Sequence, residues 1–332
     1  MAFSFFFITT CYQPVIQNFH VSRRPSVDCR IIHHKFGKTC VPLKPQRIIA
    51  LNPQTTLDPL IALGIKPIGF ASYNGKGEES LLGVSFDEVE GIKNVGDASQ
   101  PSLEKILLLK PDLILTTDYS NAEQKYKLLS TIAPTVSIPT EDDMPTLDWE
   151  NTPFFKENLR YVAKIIGQET KAETVLSQYQ KRVEELRHQL GSQVQSTKLS
   201  VIFYGEGYIW TISKGIYPIS HVLDDIGISY KFVPHDKWNL SIETIDEYNT
   251  DIVFIVDVDG ITSNFYFRHP IFSSLKAVKS NRAYIVSQEN WRSGGISGAN
   301  KILDDLEKYL VNPSTAGDQD WESGNEQQAQ RG

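Results

Sequence analysis

"PSLEKILLLKPDLIL", residues 101–115, and "LSIETIDEYNTDIVF", residues 240–254, are two copies of one unit. In register, Ser102 falls on Ser241, Glu104 on Glu243, Ile106 on Ile245 and Asp112 on Asp251. Each copy runs from a Ser, through a short amphipathic helix carrying a Glu, into an Asp and then a run of apolar residues of strand type. A unit that occurs twice, far apart in one chain, predicts two lobes built on the same plan.

Working outward from the first copy, residues 47–51 read as a buried strand, residues 57–63 as a helix stopped by Gly64, and residues 65–71 as a second strand. After the 102–110 helix come the strand "LILTT", the helix "NAEQKYKLLSTI" and the strand "TVSIP". Around the second copy the order is strand "LSVIFY", helix "PISHVLDDIG", strand "IVFIVD", helix "PIFSSLKAV", strand "AYIVS" and closing helix "GANKILDDLEKYLV". Apolar strands alternating with helices predict parallel sheets covered on both faces. Between the two halves, "TPFFKENLRYVAKIIG" and "QETKAETVLSQYQKRVEELRHQLG" are helical throughout. The second of these would span ~30 Å at 1.5 Å per residue. Its apolar stripe is Ala172, Val175, Leu176, Tyr179, Val183 and Leu186.

The expected fold class is therefore α/β: two Rossmann-like lobes joined by a single long α-helix, with a ligand cleft between the lobes where the C-terminal strand ends face each other. The expected segments are a leader and a short disulfide-type stretch at 1–44, an N-terminal lobe at 45–151, a helical connector at 152–192, a C-terminal lobe at 193–312 and a disordered polar tail at 313–332.

Composition narrows the function. At 332 residues, 40% hydrophobic and 22% charged, the chain is globular and long enough for two domains. A net charge of −7 with no basic stripe argues against nucleic acid as a partner. No apolar run approaches the ~20 residues of a membrane-spanning helix. The start, "MAFSFFFITTC", has the apolar character of an export signal without its basic flank, which points to a clipped or lipoprotein-type signal with Cys11 as the acylated residue, or else to a disordered hydrophobic tail. Cys29 and Cys40 flank one turn-like segment, which fits an exported protein with one small disulfide. Three free thiols in a cytosolic protein are the alternative.

The ordered series "PQRIIALNPQTTLDPLIALGIKPIGF", "VGDASQPSLEKILLLKPDLILTT", a long linking helix, "HPIFSSLKAVKSNRAYIV" and "W…GG…A…ILDDL" resembles the substrate-binding proteins of ABC importers for ferric siderophores, haem and cobalamin, over roughly residues 45–311. The resemblance implies two lobes on a rigid helix, no catalysis and no cofactor, and a monomer at the outer face of the cytoplasmic membrane or in the periplasm. The ligand it implies is a ferric siderophore whose iron is already fully coordinated, so that the protein adds no metal ligand. Haem or cobalamin is the alternative ligand. The resemblance also gives the repeated Glu a role. Glu104 and Glu243 occupy the places of the two surface carboxylates that dock onto the permease dimer, one per lobe. A helix-dipole role in the first turn is the simpler reading of the same two residues.

A bulky anionic chelate rimmed by oxygen acceptors calls for aromatic walls and guanidinium forks. Strand-end positions supply them. On the first lobe they are Asn52, Gln54, Tyr73, Asn74, Asp97, Asp118 and Tyr119. On the second they are Tyr204, Tyr208, Trp210, Trp238, Trp291 and Arg292, together with a loop carrying Phe265, Tyr266, Phe267 and Arg268. Arg47 lies at the opposite end of the sheet and is expected to be structural. "GEG" at residues 205–207 begins like a dinucleotide fingerprint, but Trp210 stands where the third Gly belongs, which leaves a nucleotide-dependent enzyme as the distant alternative.

Overall fold

The computed structural model of the chain describes residues 28–312, except 76, 118–121, 141–152, 206, 216–217, 234–238, 241 and 262. Cys11, Asp118, Tyr119, Trp238 and the tail from 313 therefore lie outside the described residues, and of Glu243 only the backbone is described.

The chain opens with an antiparallel hairpin, β1 (Cys29–His34) and β2 (Gly37–Pro42), in which Cys29 and Cys40 are joined with Cα atoms 5.4 Å apart. The hairpin is built onto the first lobe and the helix that follows it. Thr39 Oγ1 donates to Thr135 O at 2.8 Å and Arg30 Nη1 to Ile165 O at 2.9 Å.

The first lobe contains β3 (Ile48–Ala50), α1 (Asp58–Ala62), β4 (Gly69–Gly75), β5 (Glu78–Ser80), β6 (Lys93–Asp97), α2 (Leu103–Leu108), β7 (Leu113–Thr117), α3 (Ala122–Ser130) and β8 (Thr135–Ile138). Its sheet runs β5-β4-β3-β7-β8, with β6 beside β4. All pairs are parallel except β4 with β5. The strands β3, β7 and β8 are buried along their whole length, as a parallel sheet covered on both faces requires.

Two helices follow, α4 (Phe154–Ile166) and α5 (Glu169–Leu190). Gly167 separates them with φ +74°, a left-handed cap that favours glycine. The long helix is α5, which spans ~33 Å at 1.5 Å per residue. It buries Ala172, Leu176, Tyr179, Val183, Leu186 and Leu190 along one stripe. α4 packs on α1 and β8 of the first lobe.

A short turn of helix, α6 (Gln193–Ser196), leads into the second lobe. That lobe contains β9 (Lys198–Gly205), β10 (Tyr208–Thr211), α7 (Pro218–Ile226), β11 (Ser229–Tyr230), β12 (Asn239–Leu240), β13 (Ile252–Asp257), α8 (Ser263–Arg268), α9 (Pro270–Ser273), α10 (Lys276–Lys279), β14 (Ala283–Ser287), α11 (Gln288–Trp291) and α12 (Ile296–Leu306). Its sheet runs β12-β10-β9-β13-β14, with β11 also on β9. The set β11, β9, β13 and β14 is parallel, and β10 folds back as a hairpin. α5 packs on α7 and α12 of this lobe.

The repeated unit has a structural meaning in each lobe. Asp112 Oδ2 and Oδ1 accept from the backbone N–H groups of Gln46 (2.8 Å) and Arg47 (2.9 Å), while Asp112 N donates to Arg47 O. Asp251 does the same to Lys198: Oδ2 accepts from Lys198 N at 3.1 Å, and Asp251 N donates to Lys198 O. Each aspartate thus pins the start of its lobe's first strand to the neighbour that follows the unit. Arg47 Nε in turn donates to Lys110 O at the C-terminal end of α2, a structural contact at the start of β3, the opposite end of that strand from Asn52. The two helices of the unit differ: α2 is α-helical, capped by Ser102 Oγ accepting from Lys105 N, whereas residues Ile242–Tyr248 wind as a tighter 3₁₀ helix.

Two expectations are corrected here. The segment expected as a loop around Phe267 is the helix α8, and its Tyr266 is fully buried with Oη donating to Asp257 Oδ1 at 2.7 Å. Trp291 does not line a surface. It is fully buried, its ring lies 4.7 Å from Phe254, and its indole N–H donates to Asp305 Oδ2 at 2.7 Å. With its one polar atom satisfied inside the second lobe, this indole serves the core.

Two measurements test these assignments by chemical denaturation. Trp291→Ala should cost about 3–5 kcal/mol, the range for removing a large buried aromatic. Asp112→Ala strands two strand-end donors at a partly hydrated site and should cost about 1–2 kcal/mol, with Asp112→Asn, which keeps an acceptor oxygen, costing less.

Candidate functional site

The C-terminal strand ends of the first lobe carry a network of neutral polar groups. Asn52, fully buried where β3 ends, accepts through Oδ1 from Gln54 N (2.9 Å), Thr55 N (2.8 Å) and Thr55 Oγ1 (3.0 Å). Its Nδ2 donates to Tyr73 Oη at 2.8 Å, and Gln54 Nε2 reaches the same oxygen at 3.5 Å. Asparagine at this point both caps the turn Pro53–Leu57 and aims the phenol of Tyr73, so the half-buried ring is held from behind.

Beside Tyr73, the exposed Asn74 donates its backbone N–H to Asp97 Oδ2 at 3.0 Å, and Ser99 donates to Asp97 Oδ1 from its N–H (2.8 Å) and its hydroxyl. Burial works against the charge of Asp97, but these hydrogen bonds together hold its carboxyl below the usual range. Next to it Lys125, half-buried on α3, donates to Ala98 O at 3.3 Å. Burial lowers its pKa and the neighbouring Asp97 opposes that shift. Sequence reasoning missed Lys125, because nothing in "NAEQKYKLLSTI" separates it from the solvent-facing Lys127.

The second lobe contributes aromatics and guanidinium groups. Tyr204, half-buried at the end of β9, meets Phe265, Tyr266 and Phe272 at ring-centroid distances of 5.4, 5.6 and 5.8 Å. Asp257, at the end of β13, anchors the cluster through Tyr266. Burial raises its carboxyl pKa, and the hydrogen bonds from Tyr266 and the Asp259 N–H oppose the shift. Phe267 is half-buried and Arg268 exposed at the end of α8. Tyr208 is 68% exposed at the tip of the β9–β10 hairpin, and Trp210 lies flat on Phe203, with centroids 5.5 Å apart and planes at 8°. Arg292, half-buried just past β14, is steadied by Gln288, whose Oε1 accepts from Nη1 at 3.2 Å.

The structure therefore gathers Tyr73 and Asn74 at one lobe's strand ends and Tyr204, Tyr208, Phe267, Arg268 and Arg292 at those of the other. It removes Trp291 from the set. A small cavity of about 40 Å³ between α5 and α12, lined by Arg182, Glu185, Leu186, Gln189, Leu303 and Glu307, includes none of these residues. Among the described residues no group of three His, Cys, Asp or Glu side chains is placed to hold a metal ion.

Comparison with known proteins agrees with this architecture. The chain is 31% identical over 303 residues to the probable siderophore-binding lipoprotein YfiY of Bacillus subtilis, covering 85% of this chain and 88% of that protein. It is 31% identical to the achromobactin-binding periplasmic protein of Dickeya dadantii, covering 79% and 85% respectively. Among solved structures, Staphylococcus aureus SirA complexed with staphyloferrin B superposes with a TM-score of 0.64 at 26% identity, covering 85% of this chain and 98% of that one. Such proteins bind substrates and are not enzymes. Residues 48–289 match the periplasmic binding protein family, and with its two lobes and helical connector the chain belongs to that family.

Proposed function

We propose that the protein captures a ferric siderophore between its lobes, outside the cytoplasmic membrane, and delivers it to the permease dimer of an ABC importer. The observation that carries this reading is the division of chemistry at the strand ends. One lobe offers a pre-aimed Tyr73 with Lys125 nearby, and the other offers Tyr204, Tyr208 and Phe267 with the guanidinium groups of Arg268 and Arg292. Such a surface suits a bulky ligand with an anionic, oxygen-rich rim, because guanidinium donates in a fixed plane and also stacks on aromatic faces. The relatives support the same cargo, being named for siderophore, achromobactin or staphyloferrin B binding. Iron enters as part of the cargo, already chelated, so the protein's task is to recognise the chelate's outer surface.

Delivery needs a docking face. Glu104 is exposed on α2, with Leu107 and Leu108 exposed beside it (59% and 72%), and Glu243 lies at the matching place of the second lobe. Two equivalent carboxylates on a pseudo-symmetric molecule fit a membrane partner with two-fold symmetry. Acylation at Cys11 would tether the receptor beside that partner.

Titration of intrinsic tryptophan fluorescence with ferric citrate-hydroxamate, ferric trihydroxamate, ferric catecholate, haem and cobalamin should show sub-micromolar quenching by a ferric chelate. A response to haem or cobalamin alone, or to nothing in the panel, would refute the cargo assignment. Arg268→Ala and Arg292→Ala should each weaken binding by roughly ten- to a hundredfold, the equivalent of about 1.5–3 kcal/mol for a hydrogen bond to a charged group.

Docking is tested separately. The double variant Glu104→Lys, Glu243→Lys should retain full chelate affinity and lose cellular uptake. Uptake at the wild-type rate would rule the carboxylates out.

A further inference from the structure

α12 begins without a cap of its own. Its N-cap residue is Gly295, which has no side chain to accept from the helix's first N–H groups. The missing acceptor comes from the other lobe. Asp58, the first residue of α1 and fully buried, receives the N–H of Ser297 on Oδ2 at 3.1 Å and on Oδ1 at 3.3 Å, across 239 residues of sequence. The approach is possible only because of the glycines before the helix. A Cβ on Gly295 would lie 2.2–2.4 Å from the Asp58 carboxyl atoms, and one on Gly294 would lie 2.3 Å from Gln54 Oε1.

The same junction is bordered by a second carboxylate contact, in which Glu289 Oε2 accepts from Ser80 Oγ (3.0 Å) and Leu82 N (3.1 Å) of the first lobe. We propose that Asp58 is a positioning residue: it caps the final helix from across the lobe junction, so holding the two binding surfaces at a fixed separation, and because its carboxyl is buried there the junction links folding to pH.

The charges around Asp58 leave it without a counter-ion among the described residues. Glu88 faces it from the turn Phe86–Val89 and is itself paired with Lys301 of α12 at 3.7 Å. On α4, Lys156 is engaged by Asp225, and Arg160 by Glu157 and Glu173. The contact from α4 to this region is the neutral Asn158, donating to Thr55 O. Burial therefore dominates. It pushes the Asp58 carboxyl up to about 7, against the hydrogen bonds from Ser297 and with the help of Glu88.

The sign follows from where the proton sits. Above the ordinary carboxylate range, ~4, the unfolded chain has lost this proton, while the folded junction keeps it until about 7. The folded state is accordingly favoured most at acid pH, and that share of its stability is lost as the pH rises toward 7, by up to roughly tenfold in the folding equilibrium per pH unit, the cost being that of burying the charge and not a weaker contact with Ser297.

The test needs no ligand, so it stands or falls apart from the identity of the cargo. Denaturation of the wild type and Asp58→Asn, which keeps an acceptor but cannot ionise, should be compared between pH 5 and pH 8. The stability of the variant relative to the wild type should climb with pH up to about 7 and then level off. A ratio that stays flat across the range overturns the proton linkage. Gly295→Ala, which wedges the carboxylate aside without altering it, should speed hydrogen exchange at the Ser297 amide. Unchanged exchange there overturns the capping contact.

Discussion

Two aspartates keep the molecule in register. A parallel strand cannot be placed beside its neighbour by a tight turn. The chain must leave the sheet, cross it as a helix and return, so the pairing is specified over a long stretch of sequence. In both lobes the return is fixed by one side chain: Asp112 closes on the N–H groups of Gln46 and Arg47, and Asp251 on that of Lys198. Because β3, β7 and β13 are buried on both faces, a slip of one residue would exchange the contents of two packed layers at once. The carboxylate in the repeated unit is thus the link from which sheet register, and with it the level of the strand ends, descends. Lys276 reinforces the second copy: its Nζ lies 2.8 Å from Asp251 Oδ1, and this hydrogen bond, followed by that from Lys198, lowers the Asp251 pKa.

Level strand ends carry the proposed site, and the two lobes have filled theirs differently. The first uses short polar side chains whose hydrogen bonds are spent on one another, leaving Tyr73 as the oriented face and Lys125 as the nearby charge. The second uses a cluster of rings resting on Asp257 through Tyr266, with guanidinium groups on α8 and beyond β14. Equal scaffolds with unequal linings follow from what each position must satisfy. A buried amide such as Asn52 needs several partners and so builds rigidity, whereas an edge-packed ring such as Phe265, set against Tyr266, needs only contact.

Much of this was legible beforehand because it rests on periodicity. The alternation of apolar runs with helical segments, the stripe from Ala172 to Leu186 and the paired units around Glu104 and Glu243 are local patterns, and local patterns survive into the fold. What was not legible depends on direction. Trp291 follows a strand end just as Arg292 does, yet one side chain turns into the core toward Phe254 and Asp305 while the other stays half-exposed. A single turn of helix, α11, decides between them, and no composition signal marks its phase. Phe265 to Arg268 misled for the same reason. Aromatic residues after a strand look like a loop lining, whereas the chain winds them into α8 so that Tyr266 points inward and Arg268 outward.

The junction between lobes was the least readable feature, and the reason is physical. A helix cap is ordinarily supplied within a residue or two of the helix it serves, so the glycine pair before α12 looks, in sequence, like a flexible approach to an uncapped helix. Its meaning appears only when Asp58 is in place, because the space that Gly294 and Gly295 leave empty is the space that Gln54 and the Asp58 carboxyl fill. Gln54 also reaches Tyr73, so the residue that seats the junction takes part in aiming the first lobe's aromatic face. In the proposed reading, lobe separation and ligand-facing geometry therefore share one contiguous group of side chains. A junction packed in this way resists wide opening, so the proposed recognition rests on surfaces whose separation the junction sets.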